Sequence, residues 1–277
     1  MIVSSKEAEV SNMAAYKEVF MRSEIKYLLE KEQYEKIRKY LDSIARVDEY
    51  GLSRINNIYF DTPDYRLIRT SLEKPVYKEK LRLRTYGETG DDTNSFIEIK
   101  KKYNGVVYKR RISGRYADNY GYLTGCGTQI EKSQIAGEID QTLKLYQNLR
   151  PAMSVCYDRV AMVGIENPGL RITFDSHITY NDSCRDLREE KGGKPLLAEG
   201  QYLMEIKVEN GFPMELAQKL SEFSIFPVSF SKYGLGYKDM IQAKAQSRRM
   251  LQSSLRAGRK EAGNTGRIQR KGVAAYV

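Results

Sequence analysis

Seven segments of this chain alternate charged and apolar residues with a period of two, and no other feature constrains the fold as strongly. In "KLRLR", Lys80, Arg82 and Arg84 share one face of an extended strand, and Leu81 and Leu83 share the other. Successive strand side chains point to opposite sides. "SEIKY" places Glu24 with Lys26, "NIYFD" places Tyr59 with Asp61, and "YDRVAMV" places Tyr157 with Arg159. "LRITFD" aligns Arg171, Thr173 and Asp175, and "MEIKV" aligns Glu205 with Lys207. The longest case, "SFIEIKKKYNGVVYKRRI" from Ser95 to Ile112, is a hairpin. Its Asn104-Gly105 supplies the left-handed dihedrals of a two-residue type I′ turn. That turn pairs Tyr103 with Val106, Lys102 with Val107, Lys100 with Lys109 and Glu98 with Arg111. One face carries Ile97, Ile99, Tyr103, Val106, Tyr108 and Ile112, interrupted by Lys101 and Arg110; the other carries Glu98, Lys100, Lys102, Lys109 and Arg111. Lys100 opposite Lys109 sets like charges together, which costs stability.

One such strand on its own is a half-solvated strand with cross-strand ion pairs. Seven of them, each built from Lys and Arg with a few Glu, point to an α+β fold. Its expected centre is an antiparallel eight-stranded barrel closed around a charged interior, with helices packed outside. Unpaired buried cations are costly, so a dense anion is expected to neutralise them. Arg and Lys with few acids suit phosphate oxygens, and sparse Glu suits an accompanying divalent ion.

Composition narrows the alternatives. The 277 residues are 41% hydrophobic and 30% charged, as expected of a globular chain. No apolar run approaches the roughly 18 residues of a membrane helix, and the N-terminus lacks the pattern of a secretory signal. Cys126, Cys156 and Cys184 are widely spaced, which suggests a reducing, cytoplasmic setting and no zinc site. With His177 the single histidine, a bound metal falls to carboxylates and is expected to be Mg²⁺ or Mn²⁺. Of the +10 net charge, the stretch from Lys244 onward supplies +8, with nine basic residues against Glu261. The body is nearly balanced, which weakens a general nucleic-acid reading.

The chain divides into a weakly ordered lead (1–18), one main domain (19–243) and a basic C-terminal helix with a flexible tail (244–277). Helices are expected at 31–44, just after Asp61-Thr62-Pro63, at 132–149, 213–223 and 238–255. His177 reads as a strand-surface residue, and Gly234-Leu235-Gly236 as the end of a turn. Neither a Walker A nor a dinucleotide glycine pattern is present, so nucleotide selection is expected to be loose and centred on phosphates.

The stretches "RSEIKYLL", "NIYFDTPDY", "EKLRLRTYG", "FIEIKKKYNGVVYKRRI", "CYDRVAM", "LRITFD", "LMEIKV" and "FSKYGLGY" occur in that order between Phe20 and Lys238. Together they resemble the VTC domain, the polyphosphate-polymerase domain of the vacuolar transporter chaperone complex, in the triphosphate tunnel metalloenzyme (CYTH-like) superfamily. The resemblance implies a tunnel in which the terminal phosphate of a nucleoside triphosphate such as ATP meets a growing polyphosphate chain. It places phosphate-binding positions at Lys26, Arg82, Arg84, Lys100, Arg159, Arg171 and Lys232, with Ser231 and Tyr157 beside them. Its metal carboxylate falls on Glu205, with Glu24 and Glu98 as further candidates. Arg82, Arg84, Arg159, Arg171 and Lys100 are expected to carry the transfer. The strand pattern adds Lys80, Lys109, Arg111 and Lys207 as substrate-binding cations.

The superfamily's triphosphatases begin E-x-E-x-K, whereas here Arg22 takes the first position before Glu24 and Lys26. One metal-side carboxylate is missing, which favours the polymerase branch. The alternatives are a metal-dependent tunnel triphosphatase and a non-catalytic polyphosphate- or polyanion-binding module. With neither the family's phosphate-sensing SPX domain nor membrane helices in view, the chain is expected to act as a stand-alone catalytic domain, releasing polyphosphate into the cytoplasm. Removing an inward cation should relieve repulsion, so Arg82→Ala is expected to leave the ligand-free protein no less stable.

Overall fold

The computed structural model describes residues 22–127, 132–209 and 211–269. The expected lead at 1–18 lies outside them, as do the last eight residues of the tail. In chain order the elements are β1 (Arg22–Leu29), α1 (Lys31–Leu41), β2 (Ala45–Asp61), α2 (Arg66–Leu72), β3 (Tyr77–Tyr86), β4 (Asn94–Tyr103) and β5 (Val106–Arg115). Then follow α3 (Tyr116–Thr124), α4 (Gln134–Leu145), β6 (Arg150–Gly164), β7 (Arg171–Asn181), β8 (Lys194–Pro195), β9 (Tyr202–Glu209), α5 (Met214–Glu222) and α6 (Lys232–Gln269). The strands form one antiparallel sheet ordered β1-β9-β7-β6-β2-β3-β4-β5, with β8 on β7.

The α+β class and the large antiparallel sheet are as expected, but the sheet is not closed: among the described residues β1 and β5 are its unjoined ends. Part of the reason lies on β1 itself. The segment after α5 bridges it, with Pro227 opposite Tyr27 and Val228 N donating to Lys26 O at 2.7 Å. Those backbone groups are then spent.

The chain forms two compact units. Among the described residues, unit 1 comprises 22–52, 160–175 and 200–228, and unit 2 the remainder, so β2, β6 and β7 each contribute to both. In unit 1, α1 begins with a capping box between Glu30 and Gln33, which satisfies N–H groups that a helix start leaves open. Its apolar stripe buries Ile37 and Leu41 with Leu29, Ile172, Met204 and Ile206, each side chain contributing about 1.5–3 kcal/mol. Tyr34 stacks on Tyr202 at 3.8 Å. The helix stops at Leu41, three residues short of the expected end, because Asp42 caps it.

In unit 2, Leu81, Leu83, Ile97 and Ile99 are fully buried against Ile58, Phe60, Tyr116 and Ile139. The β4–β5 hairpin has the predicted register at all four pairs, and Asn104 and Gly105 have φ of 43° and 86°. Burial stops short of the tip, where Tyr103 is 58% exposed. Helix α2 starts at Arg66, later than expected, because Tyr65 is left-handed at φ 60°. Asp61 still caps it, accepting the N–H groups of Leu67 and Ile68 at 2.8 and 3.0 Å. Helix α6 starts six residues earlier than expected and runs on to Gln269, with no proline to interrupt it. The expected turn at Gly234-Leu235-Gly236 is therefore helix. Glycine serves close approach there: a Cβ on Gly236 would lie 2.8 Å from Met153 Sδ and 3.0 Å from Tyr180.

Candidate functional site

In unit 2 the β3–β4–β5 register turns the alternation into rows across one face. Arg84, Phe96 and Ser113 form one row; Arg82, Glu98 and Arg111 the next; Lys80, Lys100 and Lys109 a third; Lys78, Lys102 and Val107 a fourth. The opposite face is the apolar core already described. Lys100 does lie between Lys80 and Lys109, so three lysines stand abreast.

The cations are not left unpaired, contrary to the sequence expectation. Glu98, only 2% exposed, gathers them. Arg82 donates to its Oε2 from Nε and Nη2 at 2.8 and 2.5 Å. Arg111 donates to Oε1 from Nε and Nη2 at 3.0 and 2.9 Å. Lys109 Nζ lies 2.8 Å away and Arg84 Nε 3.9 Å. Burial alone would push the Glu98 carboxyl up, but Arg82, Arg84 and Lys109 hold it well below the usual carboxylate range. One carboxylate against four cations leaves the face strongly positive. Lys78 is lowered by burial and then by the charges of Lys102, Lys74 and Lys100.

Strand β2 supplies the next layer. Tyr59 lies opposite Arg82 and Asn57 opposite Arg84. Arg82 Nη1 donates to the Tyr59 hydroxyl at 3.2 Å. Burial would raise that hydroxyl, yet the charges of Arg82 and Lys80 bring it down to about 8. Arg84 donates to Asn57 Oδ1 at 2.8 Å and to the Tyr157 hydroxyl at 3.2 Å. Asn57 in turn donates to Val155 O at 2.8 Å, which fixes its amide orientation. Arg159 and Lys232 lie over the Tyr157 ring, at 5.2 and 4.5 Å.

The N-terminus of α6 is fastened into the same constellation. Lys80 Nζ donates to Ser231 Oγ at 3.0 Å. Tyr233 stacks on Tyr59 at 4.4 Å and donates to buried Asp61 at 2.8 Å. Desolvation raises the Asp61 carboxyl despite the hydrogen bonds it accepts from Leu67, Tyr233, Ile68 and Thr62. Of the expected site residues, unit 2 thus brings together Lys80, Arg82, Arg84, Glu98, Lys100, Lys109, Arg111, Tyr157, Arg159, Ser231 and Lys232. His177 is an exposed strand residue whose Nδ1 lies 2.9 Å from Asp158.

Unit 1 carries a second set. Across β1, β9 and β7, Lys26, Glu205 and Thr173 form one row, and Glu24, Lys207 and Arg171 the next. Glu205 is buried, 2.6 Å from Lys207 and 3.5 Å from Lys26. Lys26 also reaches Glu24 at 2.5 Å. Burial would lower the Lys26 ammonium, but Glu205 and Glu24 raise it above its ordinary value. Among the described residues no group of three or more His, Cys, Asp or Glu could cage a metal. The donors beside Lys26 nonetheless fit a hard divalent ion. Two carboxylates stand there, and the buried Thr173 hydroxyl opposite Glu205 has no hydrogen-bond partner among the described residues. Mg²⁺ and Mn²⁺ sites of this kind use one or two carboxylates and fill the shell with water and phosphate oxygens.

Sequence reasoning gave no place in the site to Asn57, Tyr59, Thr173 or Tyr233, and read Asp61 only as a helix cap. Asn57, Tyr59 and Asp61 were signalled by the period-2 face of "NIYFD", and Thr173 by that of "LRITFD". For Tyr233 only its place in "FSKYG" gave a hint.

A wide antiparallel sheet with cations ranked on one face of its strands defines an anion-binding protein. The chain belongs to the VTC domain family, which matches residues 21–241. A search of curated proteins finds no match. Among solved structures, it is similar to a Hippeastrum protein reported as an adenylyl cyclase by provisional assignment, with a dominant triphosphatase activity. The identity is 18%, the TM-score 0.46, and the match covers 79% of this chain and 96% of that one. A Bacillus halodurans protein, provisionally assigned as an adenylate cyclase, is 15% identical at a TM-score of 0.45, covering 75% and 92%. These likenesses are too distant to transfer an activity. Among the described residues no helix is long and apolar enough to cross a membrane.

Proposed function

We propose that the protein is a metal-dependent polyphosphate polymerase, a phosphotransferase that moves the terminal phosphoryl group of a nucleoside triphosphate, ATP, onto the end of an inorganic polyphosphate chain. The observation that carries this is the ranked cation face of unit 2, where Arg82, Arg84, Lys109 and Arg111 converge on one buried carboxylate. Such a face suits a chain of phosphates better than any single anion. Phosphoryl transfer asks mainly for positioning and charge stabilisation.

An oxygen of the chain's terminal phosphate attacks the γ-phosphorus, the bond to the β,γ-bridging oxygen breaks, and the nucleoside diphosphate leaves. The attacking oxygen is already ionised near neutral pH, so no general base is needed. In unit 2, Arg82, Arg84, Arg159 and Lys100 clamp the transferring group, and preorganised donors of this kind lower the barrier. Lys80, Lys109, Arg111, Ser231 and Lys232, with Tyr157, hold the neighbouring phosphates there. In unit 1, Lys26, Arg171 and Lys207 are further phosphate-binding cations. Glu98 serves as counter-ion rather than metal ligand: four cations crowd its two oxygens, against two at Glu205. Glu205, with Glu24 and Thr173, would hold Mg²⁺ or Mn²⁺, and that ion would neutralise charge on the phosphate oxygens.

Incubation with ATP and Mn²⁺ followed by sizing of the products tests the assignment. Long polyphosphate chains are expected. Orthophosphate alone would make it a triphosphatase, and tight polyphosphate binding without turnover would make it a binding module.

A further inference from the structure

The cation face of unit 2 changes chemistry along its length. At one end the Lys80–Lys100–Lys109 and Lys78–Lys102 rows carry lysine and no acid. The Glu98 row with its two arginines lies in the middle. Beyond Arg84 the face turns aromatic and apolar: Phe96 is the cross-strand neighbour of Arg84, and Tyr86 is the next residue of β3 on that side, opposite buried Ile55.

Tyr86 is 41% exposed, and its ring meets Phe96 edge-on at 5.8 Å and 83°. The Arg111 guanidinium lies 4.3 Å over the Phe96 ring. Hydrogen bonds on the next residue anchor the strand end: Gly87 N donates to Arg54 O at 2.9 Å, and the Asn56 side chain donates through Nδ2 to Gly87 O at 2.7 Å. The partly exposed Tyr86 ring thus stands at an anchored strand end, beside the guanidinium groups of Arg84 and Arg111. Tyr86 lies four residues along the strand from Arg82, about 13 Å, which matches an extended nucleoside triphosphate from terminal phosphate to base.

We propose that Tyr86, backed by Phe96, is a stacking subsite for the base of the nucleotide, and that the lysine rows at the opposite end receive the polyphosphate chain. The nucleotide then lies along β3 with its base at Tyr86 and its terminal phosphate at Arg82, and the chain extends from there toward Lys78 and Lys102. This rests on the polymerase reading for its ligand. Stacking tolerates any base because every base has a π-face, so the subsite favours nucleotides over inorganic triphosphate without choosing strictly among them.

The test compares equilibrium binding of ATP and of inorganic tripolyphosphate, by calorimetry without divalent metal, to the parent protein and to Tyr86→Ala and Tyr86→Phe. Tyr86→Ala should weaken ATP roughly tenfold and leave tripolyphosphate unchanged, while Tyr86→Phe keeps the parent affinity for both. Lys78→Ala with Lys102→Ala should show the opposite pattern, weakening long polyphosphate and sparing ATP. Equal weakening of ATP and tripolyphosphate by Tyr86→Ala, or no change in either, would overturn the subsite. So would loss of ATP affinity in the lysine variant, which would overturn the direction. If the parent binds neither compound, the phosphate assignment of the whole face falls and the subsite with it. A parent that binds both while Tyr86→Ala has no selective effect overturns the subsite alone.

Discussion

Arg82 grips one oxygen of Glu98 through both Nε and Nη2, while Arg111 takes the other oxygen from the neighbouring strand. The carboxylate so enclosed is an internal stand-in for the anion that this face is built to receive. It lets the sheet fold before any phosphate arrives, and it leaves most of the positive charge for the substrate.

The first prediction follows from that enclosure. Glu98→Gln leaves half-buried Arg82 and buried Arg84 without their counter-charge, and breaking a buried ion pair from one side costs about 3–5 kcal/mol. The melting temperature should drop, and millimolar tripolyphosphate should restore more of it than it adds to the parent. A variant as stable as the parent in the absence of anion would show that Glu98 is not the neutralising group.

Arg82→Ala bears on the same pair. Sequence reasoning expected it to relieve repulsion, but Glu98 and Tyr59 both bond to Arg82, so the ligand-free protein should lose about 1–3 kcal/mol. Turnover should fall about 10²-fold or more, as on removal of a charge-stabilising donor. Thermal melts and initial rates on one preparation check both. Unchanged stability would return Arg82 to the role of a merely repelled cation.

Tyr59 gives a pH dependence. Its folded pKa of about 8 lies below the ordinary tyrosine value of 10, so the ionised form is favoured in the folded protein. The resulting stabilisation is complete above pH 10, of order 2 kcal/mol, and is lost as pH falls through 8. The tyrosinate also competes with phosphate for Arg82, so triphosphate affinity should fall as pH rises past 8. Binding titrations from pH 7 to 9.5 should show the decline in the parent and a flatter profile in Tyr59→Phe. Parallel profiles would remove Tyr59 from the site.

For the metal side, Glu205→Gln keeps the size of the side chain and removes its charge. Metal-dependent turnover should fall by about 10² or more, while metal-free nucleotide binding changes little. A full metal-dependent rate in the variant would transfer the ligand role to Glu24.

Much of this site could be read from period-2 alternation, because a strand fixes which side chains share a face whatever the tertiary context. Asn104-Gly105 then set the hairpin register, and with it the meeting of Glu98 and Arg111. The accumulation of four cations on Glu98 was not legible, since Arg82 and Arg84 reach it across a ladder whose register no short turn dictates. Helix α3 was missed because "YADNYGYLT" has no clear apolar stripe; its one signal was Gly125, the left-handed residue that ends it. Closure of the sheet was over-read. Alternation says that one face is polar, but not whether the outer strands find each other.

The C-terminal basic stretch offers a separate check. Truncation after Gln252 removes six of its nine basic residues. None of the site residues lies beyond Tyr233, so turnover of short substrates should persist. Retention of long polyphosphate should weaken at low salt and become less salt-dependent. Loss of turnover on truncation would show that α6 beyond Gln252 serves the active site.

The most direct measurement follows the phosphoryl group itself. The protein is given ATP labelled at the γ-phosphate together with a short polyphosphate primer and Mn²⁺, and the label is traced. Polymerase action by the cation face predicts label in chains one or more units longer than the primer, one nucleoside diphosphate formed per unit added, and neither product with Arg82→Ala. Label recovered as orthophosphate with the primer unchanged would contradict it.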